Sequence, residues 1–193
     1  MILDLIRHAS TGRAGHLDGR SDPPLLAGAC DALGRACRGI DWTRAIASPR
    51  RRALHTAQAL AAPLGLPVEV DEGWAELDFG DWDGCLGSEL PAAALAAFHA
   101  DPLAHPPPQG EAWDAFERRI EARLRALLDS GDDGPVLVVS HGGPLRMALC
   151  RICGWPLALT WSLRLAYGTR LRLRVEAGGD GRLWGELLEL RQP

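Results

Sequence analysis

Apolar and polar positions alternate in blocks along the chain. Ile2–Ile6 is a short apolar run that ends in Arg7 and His8, which predicts a buried strand delivering polar residues at its carboxyl end. Residues 9–24 are rich in Gly, Asp and Pro and predict a loop. A helix is expected over Leu25–Arg38, a second short strand over Arg44–Ala47, and a helix over Arg50–Ala62 stopped by Pro63. Val68–Val70 fits an edge strand. Trp74–Gly84, with four acidic residues, two tryptophans and two glycines, predicts a loop over a pocket.

A helix over Pro91–Ala100, capped by Ser88, is followed by a proline-rich connection over 101–110 and an amphipathic helix over Glu111–Leu128. Val136–Ser140 is strongly apolar and runs into His141-Gly142-Gly143, with a helix from Pro144 to about Cys153. Leu163–Val175 and Leu183–Leu190 alternate and predict two late strands about a turn over Gly178–Gly181. Strands alternating with helices predict an α/β fold, a three-layer αβα sandwich on a mostly parallel sheet, in one domain over residues 1–193.

Composition sharpens this picture by exclusion. All 21 basic residues are arginine, and the chain has neither lysine nor asparagine. A P-loop and a Schiff-base lysine are therefore excluded, and an anion site must be built from Arg, His, hydroxyls and backbone N–H groups. The net charge of −4 argues against a nucleic-acid partner. Five cysteines in no framework, with no basic leader before Met1–Asp4 and no membrane-length apolar run, fit a cytoplasmic, reducing setting. Cys150-Arg151-Ile152-Cys153 is a lone C-x-x-C with no second pair, and a structural role is expected.

Chemistry-bearing residues gather at three strand ends. Arg7-His8 closes the first, Ser48-Pro49-Arg50-Arg51-Arg52 the second, and Ser140-His141-Gly142-Gly143 the later one. Ligands of open parallel sheets bind at carboxyl strand ends. Guanidinium forks match phosphoryl oxygens, and imidazole can attack phosphorus.

In this order, Arg7-His8-Ala9-Ser10-Thr11, Ser48-Pro49-Arg50-Arg51-Arg52-Ala53 with Thr56-Ala57, Glu76-Leu77-Asp78-Phe79-Gly80, and Ser140-His141-Gly142-Gly143 resemble the four motifs of the histidine phosphatase (phosphoglycerate-mutase-like) superfamily. Within it, the N-terminal stretch, Gly19-Arg20-Ser21-Asp22 and Ala100–Ala104 are most similar to the α-ribazole-5′-phosphate phosphatases of cobalamin biosynthesis. The resemblance implies hydrolysis of a small phosphorylated substrate without metal or cofactor. It places the nucleophile on His8, the proton donor on Glu76, and oxyanion contacts on Arg7, Arg52 and His141. Ser10, Thr11 and Gly142 are the further substrate contacts expected.

Asp78, Asp81, Asp83 and an apolar wall of Trp74, Phe79 and Trp82 are expected to favour a protonated Glu76. Two departures stand out: Ala9 and Ser10 occupy the places of the usual glycine and acidic residue, and the loop asparagine that often touches the phosphoryl group is missing. A phosphoglycerate mutase and a catalytically weak phospho-ligand binding module are the alternatives.

Overall fold

The computed structural model describes residues 1–131, 134–179 and 181–193. A six-stranded sheet is built from β1 (Ile2–Arg7), β2 (Arg44–Ala47), β3 (Val68–Val70), β4 (Val136–Ser140), β5 (Arg170–Ala177) and β6 (Leu183–Arg191). Their order is β3-β2-β4-β1-β5-β6. The pairings β3–β2, β2–β4 and β4–β1 are parallel, while β1–β5 and β5–β6 are antiparallel. The helices are α1 (Asp31–Ala36), α2 (Arg51–Ala61), α3 (Ala92–Ala100), α4 (Trp113–Asp129), α5 (Gly142–Cys153) and α6 (Leu157–Trp161). Among the described residues, no helix is long and apolar enough to cross a membrane.

The two-residue period of the strands divides the core into two layers. On one face, Leu3, Leu5, Val136, Val138, Leu171 and Leu173 pack against Phe116, Ile120 and Leu124 of α4 and Leu145 and Leu149 of α5. On the other, Ile6, Ala45, Ala47, Leu137 and Val139 pack against Leu33 of α1 and Ala53, Ala57 and Leu60 of α2. The small residues of α2 and β2 allow close approach on this second face. Asp4 shares that face and is fully buried, where Arg170 (3.1 Å) and the Trp42 indole N–H (2.8 Å) compensate its charge.

Helices on both faces of one sheet match the expected αβα sandwich, but several elements differ from the sequence reading. The helix expected from Leu25 is limited to Asp31–Ala36, because Gly28 takes a left-handed φ of 69° and turns the chain first. Ser88 caps nothing at α3, whose N-cap is Pro91 with no side-chain cap. The helix after β4 begins at Gly142, with His141 as its N-cap. The expected strand from Leu163 begins only at Arg170, and the unforeseen α6 lies just before it. In the expected Gly178–Gly181 turn, Asp180 lies outside the described residues. Across it, the Gly178 N–H donates to the Arg182 carbonyl at 2.7 Å, joining β5 to β6.

Candidate active site

Strand register assembles the site. In the parallel β1–β4 pair Arg7 sits beside Ser140, and the His8 N–H donates to the Ser140 carbonyl at 2.9 Å. Ser48, just past β2, donates its N–H to the Val139 carbonyl at 3.0 Å. Residues 8, 48 and 141, far apart in sequence, therefore meet at the carboxyl edge of three adjacent strands. The rings of His8 and His141 lie 5.1 Å apart.

His8 is buried and held in one tautomer. Its Nδ1 lies 2.8 Å from the Ala9 carbonyl, an acceptor, so Nδ1 carries the proton and Nε2 presents its lone pair. The Nε of Arg52 donates to that Nε2 at 3.2 Å. Burial, then Arg52 and Arg7, push the His8 pKa well below its ordinary value, against a smaller opposing effect of the Ala9 carbonyl. The imidazole is thus neutral and nucleophilic at neutral pH. His141 behaves alike: burial first, then Arg52, His8, Arg7 and Arg50, hold its pKa well down. Its Nε2 meets the Ser48 hydroxyl at 2.6 Å, and its Nδ1 is buried with no partner among the described residues.

Arg52 is almost wholly buried, at 1% exposure, although it is a charged side chain. Carbonyls of the loop before α1 hold its guanidinium: Ser21 (2.6 Å) and Asp18 (2.6 Å), with the Asp22 carboxylate at 3.2 Å. Asp22 also accepts the N–H of Arg51 at 2.7 Å and so tethers the first turn of α2. Arg7 donates to the Leu165 carbonyl at 2.6 Å and lies over the Tyr167 ring at 4.3 Å, while its Nε is buried without a partner among the described residues. Burial lowers the pKa of both arginines. Two guanidinium groups and a second imidazole around one lone pair form a cradle for an oxyanion.

Glu76 enters from the opposite wall. Both its carboxylate oxygens accept the Gly143 N–H at 3.1 Å, at the start of α5, and Oε1 accepts the Leu77 N–H at 2.9 Å. Its loop is pinned from α4 by Arg119, which donates to the carbonyls of Gly73 (2.9 Å), Ala75 (2.7 Å) and Glu76 (3.0 Å) while paired with Glu111. The Ser140 hydroxyl adds a bond to the Trp74 carbonyl at 2.6 Å.

The acidic neighbours do not crowd Glu76 as the sequence reading expects. Asp83 accepts the N–H groups of Gly19, Arg20 and Ser21 and the Ser21 hydroxyl, all within 2.9 Å. Asp78 caps Gly80 and pairs with Arg20, and Asp81 is exposed. Backbone N–H groups thus hold the Asp78 and Asp83 carboxylates, and these two side chains fasten loops.

Arg7, His8, Glu76 and Gly142 line a cavity of about 180 Å³. Ser10 is not in its lining, and its hydroxyl accepts the Gly12 N–H at 3.2 Å. Thr11 reaches the site indirectly, donating to the Tyr167 hydroxyl at 3.1 Å. The N–H of Ala9 is taken by the Thr56 hydroxyl at 3.0 Å. Tyr167 and Arg119 are site-building residues that the sequence reading misses, and Asp83 holds the loop around Arg52, a role other than the one expected of it. Tyr167 is the chain's only tyrosine, which is the one signal that singles it out. Cys150 and Cys153 lie away from the cavity on α5, and burial pushes the Cys150 thiol up to about 11, a poor nucleophile at neutral pH.

The sequence matches the family model described as the histidine phosphatase superfamily (branch 1) over residues 3–184. It is 31% identical over 176 residues to an adenosylcobalamin/alpha-ribazole phosphatase of Salmonella typhimurium, covering 87% of each chain. A glucosyl-3-phosphoglycerate phosphatase of Mycolicibacterium vanbaalenii is 33% identical over 120 residues, covering 58% of this chain and 53% of the relative. Among solved structures, the alpha-ribazole phosphatase from Shigella flexneri superposes with a TM-score of 0.79 at 26% identity, covering 100% of this chain and 96% of that one.

Proposed function

The chain belongs to the histidine phosphatase superfamily, branch 1, and is a phosphatase; on that premise we propose that it hydrolyses α-ribazole 5′-phosphate in the cytoplasm through a phosphohistidine on His8. The observation that carries the mechanism is the tautomer of His8. With Nδ1–H bound to the Ala9 carbonyl, the Nε2 lone pair faces the Arg52 guanidinium in a cradle with unsatisfied buried donors.

In the first step Nε2 attacks phosphorus in line. The bond from phosphorus to the ester oxygen breaks, and the protonated Glu76 carboxyl gives its proton to the leaving alkoxide. In the second, a water attacks the phosphohistidine and yields its proton to the Glu76 carboxylate. The P–N bond breaks, the electron pair returns to Nε2, and inorganic phosphate leaves. Arg7, Arg52 and His141 hold the equatorial oxygens through both transfers and stabilise charge in the transition states. All of these charge-stabilising groups belong to the chain itself, and the proposed sequence has no metal-dependent step.

The substrate assignment is supported by relatives and solved structures named for alpha-ribazole. It is tested by phosphate release over a panel holding α-ribazole 5′-phosphate, phosphoserine and 3-phosphoglycerate, with acid-quench trapping of a ³²P-labelled protein. The expected result is preference for the ribazole ester and a label lost in His8→Ala. Preference for another ester refutes the substrate, and bisphosphoglycerate-dependent transfer without phosphate release identifies a mutase. A labelled His8→Ala protein refutes the mechanism.

A further inference from the structure

The phosphoryl end of the cavity accounts for only half of its wall. The far half is built from rings: Trp161 of α6, Phe98 and His99 of α3, and Trp113 and Phe116 of α4. Trp161 is half-buried and cannot swing freely. Its ring lies 4.9 Å from that of His99 and 6.3 Å from that of Phe98, and the Arg146 guanidinium covers it at 4.8 Å. Arg146 in turn binds the carbonyls of Thr160 and Leu163, so α5 anchors both ends of the turn that carries the indole.

The charged groups of this far half hold its walls in place. Arg146 serves those two carbonyls and the indole face, and Asp18 is paired with Arg13 at 3.0 Å. A neutral, flat ring would find aromatic faces held in advance, and a rigid side chain loses little entropy when a ring stacks on it.

We propose that this wall, with Trp161 as its specificity-determining residue, receives a planar, uncharged heteroaromatic group on the leaving alcohol. This deepens the substrate assignment above and rests on the same reaction centre. It selects for ribosides of a flat base over small phosphorylated amino or hydroxy acids, which offer no ring to stack on it.

The test is the ratio of kcat/KM for α-ribazole 5′-phosphate to that for ribose 5-phosphate, which carries the same ester without the base. Wild type, Trp161→Leu and Trp161→Phe are compared, with adenosine 5′-monophosphate and phosphoserine as further substrates. Trp161→Leu is expected to lower the ratio about tenfold, mainly through KM, on the scale of one base–aromatic stack. Trp161→Phe should keep it within about threefold. An unchanged ratio in Trp161→Leu overturns the proposal, as does a wild-type preference for phosphoserine over ribose 5-phosphate.

If ribazole phosphate is a poor substrate while adenosine 5′-monophosphate shows the Trp161-dependent ratio, the substrate assignment fails and the aromatic wall stands. If no ester turns over, calorimetric titration of His8→Ala with unphosphorylated α-ribazole decides. Binding that is lost on adding Trp161→Leu supports the wall, and binding that is absent, or indifferent to that change, refutes it.

Discussion

Gly143→Ala isolates the proton donor without touching it chemically. A Cβ at position 143 would lie 2.2 Å from Glu76 Oε1 and 3.2 Å from Phe116 Cζ. Carbon and oxygen do not approach so closely, so the carboxylate must retreat by about 1 Å, while the Phe116 contact needs only a few tenths. A displacement of about 1 Å in a reacting group costs on the order of 10²-fold in rate, and complete loss of a general acid 10²–10⁴-fold.

The helix itself tolerates the change. Gly143 lies in α5 without a left-handed φ, where alanine is the better helix former. A folded protein with a specific defect is therefore expected. The assay compares an alkyl phosphomonoester with p-nitrophenyl phosphate, whose phenol leaves without much help from an acid. The alkyl ester should slow by roughly 10² or more and the aryl ester by much less. Equal losses on both esters would refute the role of Glu76, and so would full alkyl activity in Gly143→Ala.

The buried histidines predict a pH dependence of stability. Folded His8 and His141 have pKa values well below the 6.5 of the free side chain, so the unfolded chain binds more protons once pH falls below about 6.5. Stability is fully present above that pH and falls on acidification by up to about 1.4 kcal/mol per pH unit for each histidine. Urea melts of wild type and His8→Gln at pH 7, 6 and 5 should show a shallower slope in the variant, and parallel slopes would refute this. Asp83→Ala should free the Gly19–Ser21 loop that holds Arg52, raising KM well before Tm moves much; an unchanged KM would show the loop is held otherwise. Tyr167→Ala should lower kcat/KM by releasing Arg7, and Tyr167→Phe, which keeps the ring beneath the guanidinium, should retain most activity. Equal loss in both variants would point to the hydroxyl instead.

The reaction centre was legible in the sequence because strand ends are short and their chemistry is local. Arg7-His8, Arg52 and His141 each follow an apolar run by a few residues, and parallel register does the rest. Leu25–Arg38 misled because composition there is helical while one glycine at φ 69° decides the backbone. Asp83 misled differently. An acidic residue next to a proposed acid reads as electrostatics, yet three N–H groups of a loop over sixty residues upstream claim it. No spacing rule announces such a contact.

The binding capacity of the phosphoryl end is likewise visible only in three dimensions. Arg7 Nε and His141 Nδ1 are buried without partners among the described residues, and a buried unpaired polar atom is costly unless something meets it. These atoms provide binding capacity at the phosphoryl end, on residues that the resemblance already assigns as oxyanion contacts. The specificity half of the cavity was the hardest to read. Its main ring, Trp161, sits on a five-residue helix between Pro156 and Ser162, in a stretch whose alternation suggests strand just beyond. Arg146, fourteen residues before Thr160, fixes that helix. A site assembled by side chains reaching across elements leaves no periodic trace, whereas one assembled by strand register does. That difference explains why the sequence pointed firmly to the reaction and weakly to the alcohol it releases.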